Sequence, residues 1–445
     1  MKKLLLLVSA AALCGTSVAF AQEQSENTGK SQRGIEIVRP DAELTKILKK
    51  DSEHDFKQAP VPAFVVHTRD NNFMLTVGGQ INPIFGYDFG NNLYKTDAGI
   101  SFVTQDIPVP PVAGKKADYY INPLNGALTF QIVGFGGTDN QISAFFKIGT
   151  NGNTPNINFT RAWLTWRGIT AGQKLTLLQD DYACQPPTID PEGPSGCVST
   201  VAYEISYKSK SYNGFRFAVG LDMPTYYHSN GRYQGKDYPE FDGKMVVNPE
   251  GAEHLMPDVP AWVEYQYSQW NRIRLSGIYR NFSYRDLINN KKKSVSGYGV
   301  MLSGNFQPIK PLIFYFQAMY GKGIGAYLQD IAGLPLSFTP SDDKLGHMKA
   351  NPMMGINVGL TWNITDQWQA NAMGSVSRIW DVENYVTYKE SGQNYRYANY
   401  YAANVFYNIT PYLQWGLEYL YGKRATYGLG SGHDNRIQTQ IMFTF

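Results

Sequence analysis

Seven cationic side chains recur at polar positions in segments where apolar and polar residues alternate. They are Lys147, Arg161, Arg167, Arg216, Arg274, Arg280 and Arg436. Cations that line a narrow, low-dielectric passage attract carboxylates and phosphates, because such a passage focuses their field. If these segments line a channel, the pattern predicts a modest preference for small organic anions. The residues expected to carry it are Arg161, Arg216, Arg274 and Arg280.

These arginines have a second interpretation. Acids such as Glu204, Asp222 and Glu264 occupy the same polar faces and could pair with them. In that case the arginines would hold the wall together and would not attract solutes. The sequence leaves both interpretations open.

A proline-rich stretch at 180–200 brings acids and cysteines together. Its acids are Asp180, Asp181, Asp190 and Glu192. Cys184 and Cys197 lie close in sequence, and in an exported chain this spacing favours a disulfide closing a small loop. A metal site is the alternative, but no histidine lies near them and their spacing is not CxxC.

Histidine is the remaining residue type with catalytic potential. The six are His54, His67, His228, His254, His347 and His433, all in the N-terminal extension or in predicted loops. A hydrolase needs a nucleophile, a base and an orienting group at one place, and no histidine adjoins a GxSxG-like turn. HExxH and P-loop motifs are absent, and the glycine cluster Gly321–Gly325 precedes no helix. We therefore expect no enzymatic activity, no metal and no cofactor.

Strands must position these residues. Phe73, Leu75, Val77 and Ile81 alternate with polar residues and glycine, and the same two-residue period recurs to the end of the chain. The segments run to about ten residues, the length of a tilted strand that crosses a bilayer. Trp and Tyr cluster at their ends, as in an interfacial girdle. Alternation alone would also fit a soluble β-sandwich, and the 14% aromatic content would also fit a large secreted propeller or jelly roll.

The connections between strands fall into two classes, as expected of an outer-membrane barrel. Short ones are predicted at 136–140, 170–172, 209–213, 269–270, 307–311, 363–366 and 408–411. Most intervening pieces are long and polar, including 88–117, 184–199, 224–259, 283–293, 322–353, 380–394 and 422–434. We predict an all-β fold, a transmembrane antiparallel β-barrel of about 16 strands with short periplasmic turns and long external loops. Fourteen or eighteen strands remain open.

The N-terminus carries an export signal. Met1-Lys2-Lys3, an apolar run to Phe20 and the small-residue site at Ala19–Ala21 predict a signal peptide at 1–21. A lipoprotein signal at Cys14 is the alternative, but Leu13 before it is bulky. Residues 22–72 are interpreted as a polar, flexible periplasmic extension with a short helix near 42–50, and 73–445 as the barrel.

Charge and hydropathy exclude other classes. Loss of Lys2 and Lys3 with the signal lowers the net charge from +3 to +1, so bulk charge does not support nucleic-acid binding. No mature stretch of about 18 apolar residues predicts a transmembrane helix.

Two tracts in the final third resemble a known family. Residues 320–328, YGKGIGAYL, and 416–424, GLEYLYGKR, are similar to the DcaP-like porins of Gram-negative outer membranes. The C-terminal aromatic residue, Phe445, resembles the assembly signal of outer-membrane proteins. The similarity extends over about residues 73–445, whereas the extension before Phe73 departs from the family's longer, coiled-coil-like N-terminus.

The resemblance implies a homotrimeric diffusion channel in contact with outer-membrane lipid and lipopolysaccharide, and some members favour small anions. In sixteen-stranded porins the third external loop narrows the lumen, and in this chain that loop would be 180–200. Its four acids would then lie near the constriction; alternatively, it is a stapled surface loop. We expect passive diffusion of small hydrophilic solutes. A non-conducting adhesin or structural barrel is the alternative, whereas a ligand-gated transporter would need a larger N-terminal plug.

Overall fold

The structure is a computed structural model that is dominated by β-strands. It describes residues 35–50, 64–90, 101–112, 117–122, 125–150, 157–224, 240–241, 244–245, 247–248, 256–334, 336–341, 344, 346–382 and 395–445. The single described α-helix, α1 (Ala42–Lys49), confirms the short helix predicted near 42–50. Within these ranges, no helix combines the length and the hydropathy that a membrane-spanning helix requires.

The described strands are numbered in chain order. The first eleven are β1 (Ile35–Val38), β2 (Val65–Thr68), β3 (Phe73–Ile81), β4 (Ile84–Asp88), β5 (Asp118–Asn122), β6 (Gly126–Gly134), β7 (Ile142–Thr150), β8 (Ile157–Trp166), β9 (Ile169–Leu175), β10 (Val201–Lys208) and β11 (Phe215–Pro224). The next seven are β12 (Glu240–Phe241), β13 (Lys244–Met245), β14 (Val247–Asn248), β15 (Val259–Ser268), β16 (Asn271–Asp286), β17 (Lys291–Ile309) and β18 (Leu312–Lys322). The last seven are β19 (Phe338–Pro340), β20 (Met348–Ala350), β21 (Pro352–Asn363), β22 (Trp368–Ile379), β23 (Tyr395–Thr410), β24 (Leu413–Thr426) and β25 (Gly430–Thr444).

Sixteen barrel strands form a closed antiparallel barrel, which confirms the predicted strand number. The first barrel strand consists of β3 and β4, and the second consists of β5 and β6. Asn82 and Pro83 separate β3 from β4. The last strand closes the barrel on the first, since Phe443 lies opposite Ile81 and Arg436 opposite Asp88.

The alternation predicted from sequence is confirmed, with its apolar face turned outward. In β11, Phe215, Phe217 and Leu221 are exposed on the outside, whereas Arg216 and Asp222 are buried inside. A soluble β-sandwich would bury the apolar face. The outer surface of this barrel is instead an apolar band, and its polar residues face the lumen.

Short turns lie at one rim of the barrel, and one of them differs from the prediction. A turn was expected at 170–172, but β8 and β9 are joined by Arg167 and Gly168, whose φ angles are +48° and +82°. Left-handed φ values at both central positions are what a tight two-residue hairpin requires. Arg167 therefore lies in a turn and not on the strand face where the sequence pattern had placed it.

Two loops at the opposite rim are shorter than predicted. The strands β16 and β17 leave only 287–290 between them, and β24 and β25 leave only 427–429. Cross-strand hydrogen bonds continue through polar and glycine-rich sequence at these ends. His433, expected in a loop, lies in β25.

The N-terminal segment is packed and not a flexible extension in its described parts. The strands β1 and β2 pair with each other, and β2 extends the sheet along β3. Leu44, Ile47 and Leu48 of α1 form a buried cluster with Met74 and Val133 of the barrel. The interpretation of residues 22–72 as a flexible extension is therefore wrong for residues 35–50. The sheet also begins before the predicted boundary at Phe73.

Candidate permeation pathway

Three loops from the long-loop rim fold into the barrel. We call them L1 (101–112), L3 (176–200) and L6 (323–351, of which 335, 342, 343 and 345 are not described). A β-bridge joins Val198 of L3 to Leu328 of L6, and Gln329 N–H donates to the carbonyl of Cys197 at 2.9 Å. Thr104 of L1 donates to Asp330 of L6 at 2.5 Å. The loops thus support one another as a single insert.

L3 folds inward as the family resemblance implied, and a disulfide closes it. Cys184 and Cys197 form a disulfide with Cα atoms 5.9 Å apart. Leu178 and Val198, near the two ends of the loop, are fully buried in the main apolar cluster inside the barrel. A stapled surface loop would leave such residues in water, so the surface-loop interpretation is wrong.

The tip of L3 is held to the wall by main-chain hydrogen bonds. Glu418 of β24 accepts from the amides of Ile189 at 3.0 Å and Asp190 at 2.9 Å. Asn404 donates to the carbonyl of Pro187 at 2.9 Å. These backbone groups of L3 lie outside any strand, so wall side chains supply their hydrogen-bond partners.

The loop also approaches the wall backbone very closely. The amide of Gly196 donates to Ser375 Oγ at 2.7 Å. A Cβ atom on Gly355 of β21 would lie 2.3 Å from the carbonyl oxygen of Gly196. Glycine is required at this point of the wall because any larger residue would displace the loop.

A buried charge cluster fixes the start of L3. Asp180 pairs with Arg272, and both side chains are fully buried. Glu264 of β15 pairs with Arg272, with Arg216, and with Arg274 at 2.7 Å. Burial alone would raise the pKa of Asp180, but Arg272 and Arg274 more than offset it and hold that pKa below its usual range.

Two further arginines of the predicted set are also buried in ion pairs. Arg280 lies 3.0 Å from Asp258, and its guanidinium also donates to the carbonyl of Gly323 in L6. Arg436 pairs with Asp88 across the closing seam of the barrel. For Arg216, Arg274, Arg280 and Arg436 the geometry favours the pairing interpretation, although the principal partners include Asp258 and Asp88 as well as Glu264.

Arg167 lies outside the lumen wall. In the short turn, its guanidinium donates to the carbonyl of Asp139 at 3.0 Å and to Asn140 at 2.8 Å. The side chain ties two neighbouring turns together. The sequence pattern assigned Arg167 to the lumen wall because it placed the turn between β8 and β9 too late in the chain.

Lys147 and Arg161 differ from the buried arginines in keeping some exposure inside the barrel. They lie opposite each other on β7 and β8, on the inward face, and both are partly exposed. Within the described residues neither has a carboxylate within 4.0 Å. Beside them the rings of Phe145 and Trp163 stack with centroids 4.1 Å apart. This wall, β6 to β9, is where polar inward residues stay accessible.

The four predicted acids of L3 have different environments. Asp181 is exposed and lies near Arg161 and Lys174. Glu192 is partly exposed and accepts from Gln329 at 2.9 Å. Asp180 and Asp190 are buried. The expectation that all four present charge to a constriction is therefore wrong for the two buried acids.

Burial raises the pKa of Asp190 to about 7, and the nearby Glu418 carboxylate contributes to this rise. Its two carboxylate oxygens accept from the amide of Phe102 at 3.1 Å and from the hydroxyl of Tyr400 at 2.9 Å. Asp190 thus connects L3 to L1 and to β23. Burial likewise raises the pKa of Asp330 in L6 to about 6.

Sequence reasoning missed the inward folding of L1 and L6. The signal was present, because Phe102 and Ile107 in L1 and Ile324, Leu328 and Ile331 in L6 are apolar residues in polar stretches, and all five are fully buried. Arg272 was also missed, although it shares the polar face of β16 with Arg274. The described residues hold no group of three metal-ligating side chains.

The structural class of this protein is thus a sixteen-stranded barrel whose third loop folds inward. No protein-family model matches the chain, and no curated protein matches it either. Its fold is similar to that of the outer membrane channel DcaP of Acinetobacter baumannii, with a TM-score of 0.65 and 16% identity over 85% of this chain and 99% of that one. It is also similar to the outer-membrane protein OmpT of Vibrio cholerae, with a TM-score of 0.50 and 8% identity over 84% and 98% of the two chains. The resemblance to DcaP-like proteins predicted from sequence is thus confirmed for the fold.

Proposed function

We propose that this protein is an outer-membrane porin through which small hydrophilic solutes diffuse passively. The observation that carries the proposal is the apolar outer band around a polar lumen, the inverse of a soluble β-protein. The short-turn rim then faces the periplasm and the long-loop rim the exterior. Export depends on the signal peptide at 1–21, and the protein functions as a homotrimer in contact with lipid and lipopolysaccharide.

A preference for small organic anions is the second part of the proposal. It rests on Lys147 and Arg161 alone, and not on the buried arginines. Two cations face each other on the accessible wall, and the exposed acid near them is Asp181. Water in the passage screens these charges less than bulk water would. Their electrostatic interaction therefore favours an anion over a cation at this position.

The test is single-channel conductance in planar bilayers, with a salt gradient that gives the sign of the reversal potential. We expect an anion-selective potential that moves toward the cation value in the Lys147→Gln/Arg161→Gln variant. Arg167→Gln is the matched control, because it removes a cation from the short turn and leaves the lumen unchanged. An unchanged reversal potential in the double variant would refute the proposed anion preference. The absence of conductance would favour a structural barrel or adhesin.

A further inference from the structure

The N-terminal helix lies inside the barrel at the short-turn rim. Met74 and Val133, the wall residues that it covers, pair with each other across β3 and β6. Val133 shares its strand face with Thr129, and Thr129 lies opposite the inward-facing Lys147. Since residues two apart on a strand share a face, α1 packs on the lumen side of the wall.

The local sequence explains why a helix forms at this position. Asp41 caps its first turn by accepting from the amide of Leu44 at 2.8 Å, and Lys46 and Lys49 lie toward the negative end of its dipole. An eight-residue helix is marginal in water by itself. The helix therefore depends on the barrel wall that buries Leu44, Ile47 and Leu48.

Polar contacts hold the end of the helix at the rim. Gln141 donates to the carbonyl of Ile47 at 3.0 Å, and Gln131 donates to that of Leu48 at 3.2 Å. Lys50 donates to the carbonyls of Gly137 at 3.2 Å and Thr138 at 2.6 Å in the turn between β6 and β7. The bonds from the two glutamines satisfy carbonyls that the end of a helix leaves without intrahelical partners.

The helix face opposite the wall contains Ala42 and Lys46, and Lys46 is exposed. A helix with its side chains is about 10 Å across, so one that is seated on the inner wall narrows the opening by a comparable distance. Its outer face then borders the remaining water path. The cation Lys46 stands there on the same wall as Lys147, nearer the short-turn rim.

We infer that α1 forms a second restriction at the periplasmic mouth and that Lys46 is a selectivity residue of that restriction. This inference rests on the proposed porin function. L3 narrows the lumen from the external side, and α1 narrows it from the periplasmic side. Solutes would therefore pass two filters, built from opposite ends of the barrel.

Site-directed thiol labelling tests this inference. Cys184 and Cys197 are bonded to each other, so Lys46→Cys introduces the only free thiol of the chain after signal removal. A negatively charged sulfonatoethyl thiosulfonate, added from the periplasmic side, should lower single-channel conductance and shift the reversal potential toward cations. The aminoethyl reagent restores a positive charge and should shift the potential back.

Two further variants serve as controls. Lys310→Cys places the same label in the exposed turn between β17 and β18, where no described helix crosses the mouth, and should have little effect. Adding Ile47→Asp to Lys46→Cys should detach the helix, raise conductance and abolish the effect of the label. If Lys46→Cys labels completely by mass spectrometry but conductance and potential stay unchanged, the inference is wrong. If the unlabelled protein does not conduct, the porin proposal fails instead.

Discussion

Asp180 in L3 and Arg272 in β16 form an ion pair in which neither side chain has any exposed surface. Ser303 also donates to the Asp180 carboxylate at 2.5 Å. The pair joins the root of L3 to the barrel wall. Its position, between a strand end and a loop that enters the barrel, makes it an anchor of L3.

Asp180→Asn should release that anchor. The substitution removes the charge that pairs with Arg272 and leaves Glu264 as the acid paired with Arg216, Arg272 and Arg274, and a buried ion pair broken on one side costs about 3–5 kcal/mol. We expect a lower urea midpoint of unfolding and larger current fluctuations as L3 moves. Glu192→Gln is the control, because Glu192 is partly exposed and the side-chain carbonyl of the introduced glutamine can still accept from Gln329. Equal stability of Asp180→Asn and the unsubstituted protein would contradict the anchoring role.

Gly355→Ala should displace L3 without any change of charge. The new methyl group would lie 2.3 Å from the Gly196 carbonyl oxygen and 2.7 Å from a methyl of Leu328, so L3 or L6 must move. Overpacking of this kind costs about 1–3 kcal/mol. The measurements are thermal unfolding and the rate of proteolysis within residues 176–200.

Gly277→Ala is the matched control, since the nearest atom to its new methyl group lies 3.8 Å away. It should unfold and be cleaved like the unsubstituted protein. If both alanine variants behaved alike, close approach at Gly355 would not position L3.

The barrel could be predicted from the sequence because its periodicity is local. Each strand repeats an apolar and a polar position, and the lipid-facing side chains of β11 and β16 make the repeat visible without knowledge of the partner strands. The hairpin at Arg167 was misplaced because Thr170 to Gly172 offer turn-forming residues of equal strength nearby. A shift of that size moves a residue from the lumen face into a turn.

The charge pairs could not be predicted from the sequence to the same degree. Glu264 lies opposite Arg274 in the β15–β16 pair, and Asp258 directly precedes Val259, which lies opposite Tyr279, so these acids are neighbours of the arginines on an adjacent strand. Asp88, in contrast, reaches Arg436 only through closure of the barrel. An arginine that faces water and one that is paired occupy identical positions in the alternating pattern. Of the seven predicted cations, only Lys147 and Arg161 keep the predicted exposure to the lumen.

The disulfide between Cys184 and Cys197 should stabilise L3 through loop closure. Removing a bridge with a sequence separation of 13 costs about 3 kcal/mol in the chain-entropy account. The double variant Cys184→Ser/Cys197→Ser should therefore have a lower free energy of unfolding. The reduced, unsubstituted protein should match it, and a reducing agent should not affect the variant. Identical stability with and without the bridge would show that the wall contacts alone hold the loop.

Stability should fall with rising pH because of Asp190. In the unfolded chain this carboxyl loses its proton near the ordinary aspartate pKa of 3.8, whereas burial and the adjacent Glu418 keep it protonated up to about pH 7 in the folded protein. The folded state thus binds more protons between these values. The free energy of unfolding should decrease across this window, by at most about 1.4 kcal/mol per pH unit from this group.

Asp190→Asn should flatten that dependence, since the amide stays neutral and can still accept from the amide of Phe102. The measurement is the urea midpoint at several pH values from 4 to 8, together with channel noise at both ends of the range. Glu192→Gln, which removes a partly exposed acid of the same loop, should retain the slope. Above pH 7 the ionised Asp190 repels Glu418, whose carboxylate holds the amides of Ile189 and Asp190, so the tip of L3 should loosen. A slope that persists unchanged in Asp190→Asn would assign the pH dependence to another group, such as Asp330, whose pKa is raised to about 6 by burial.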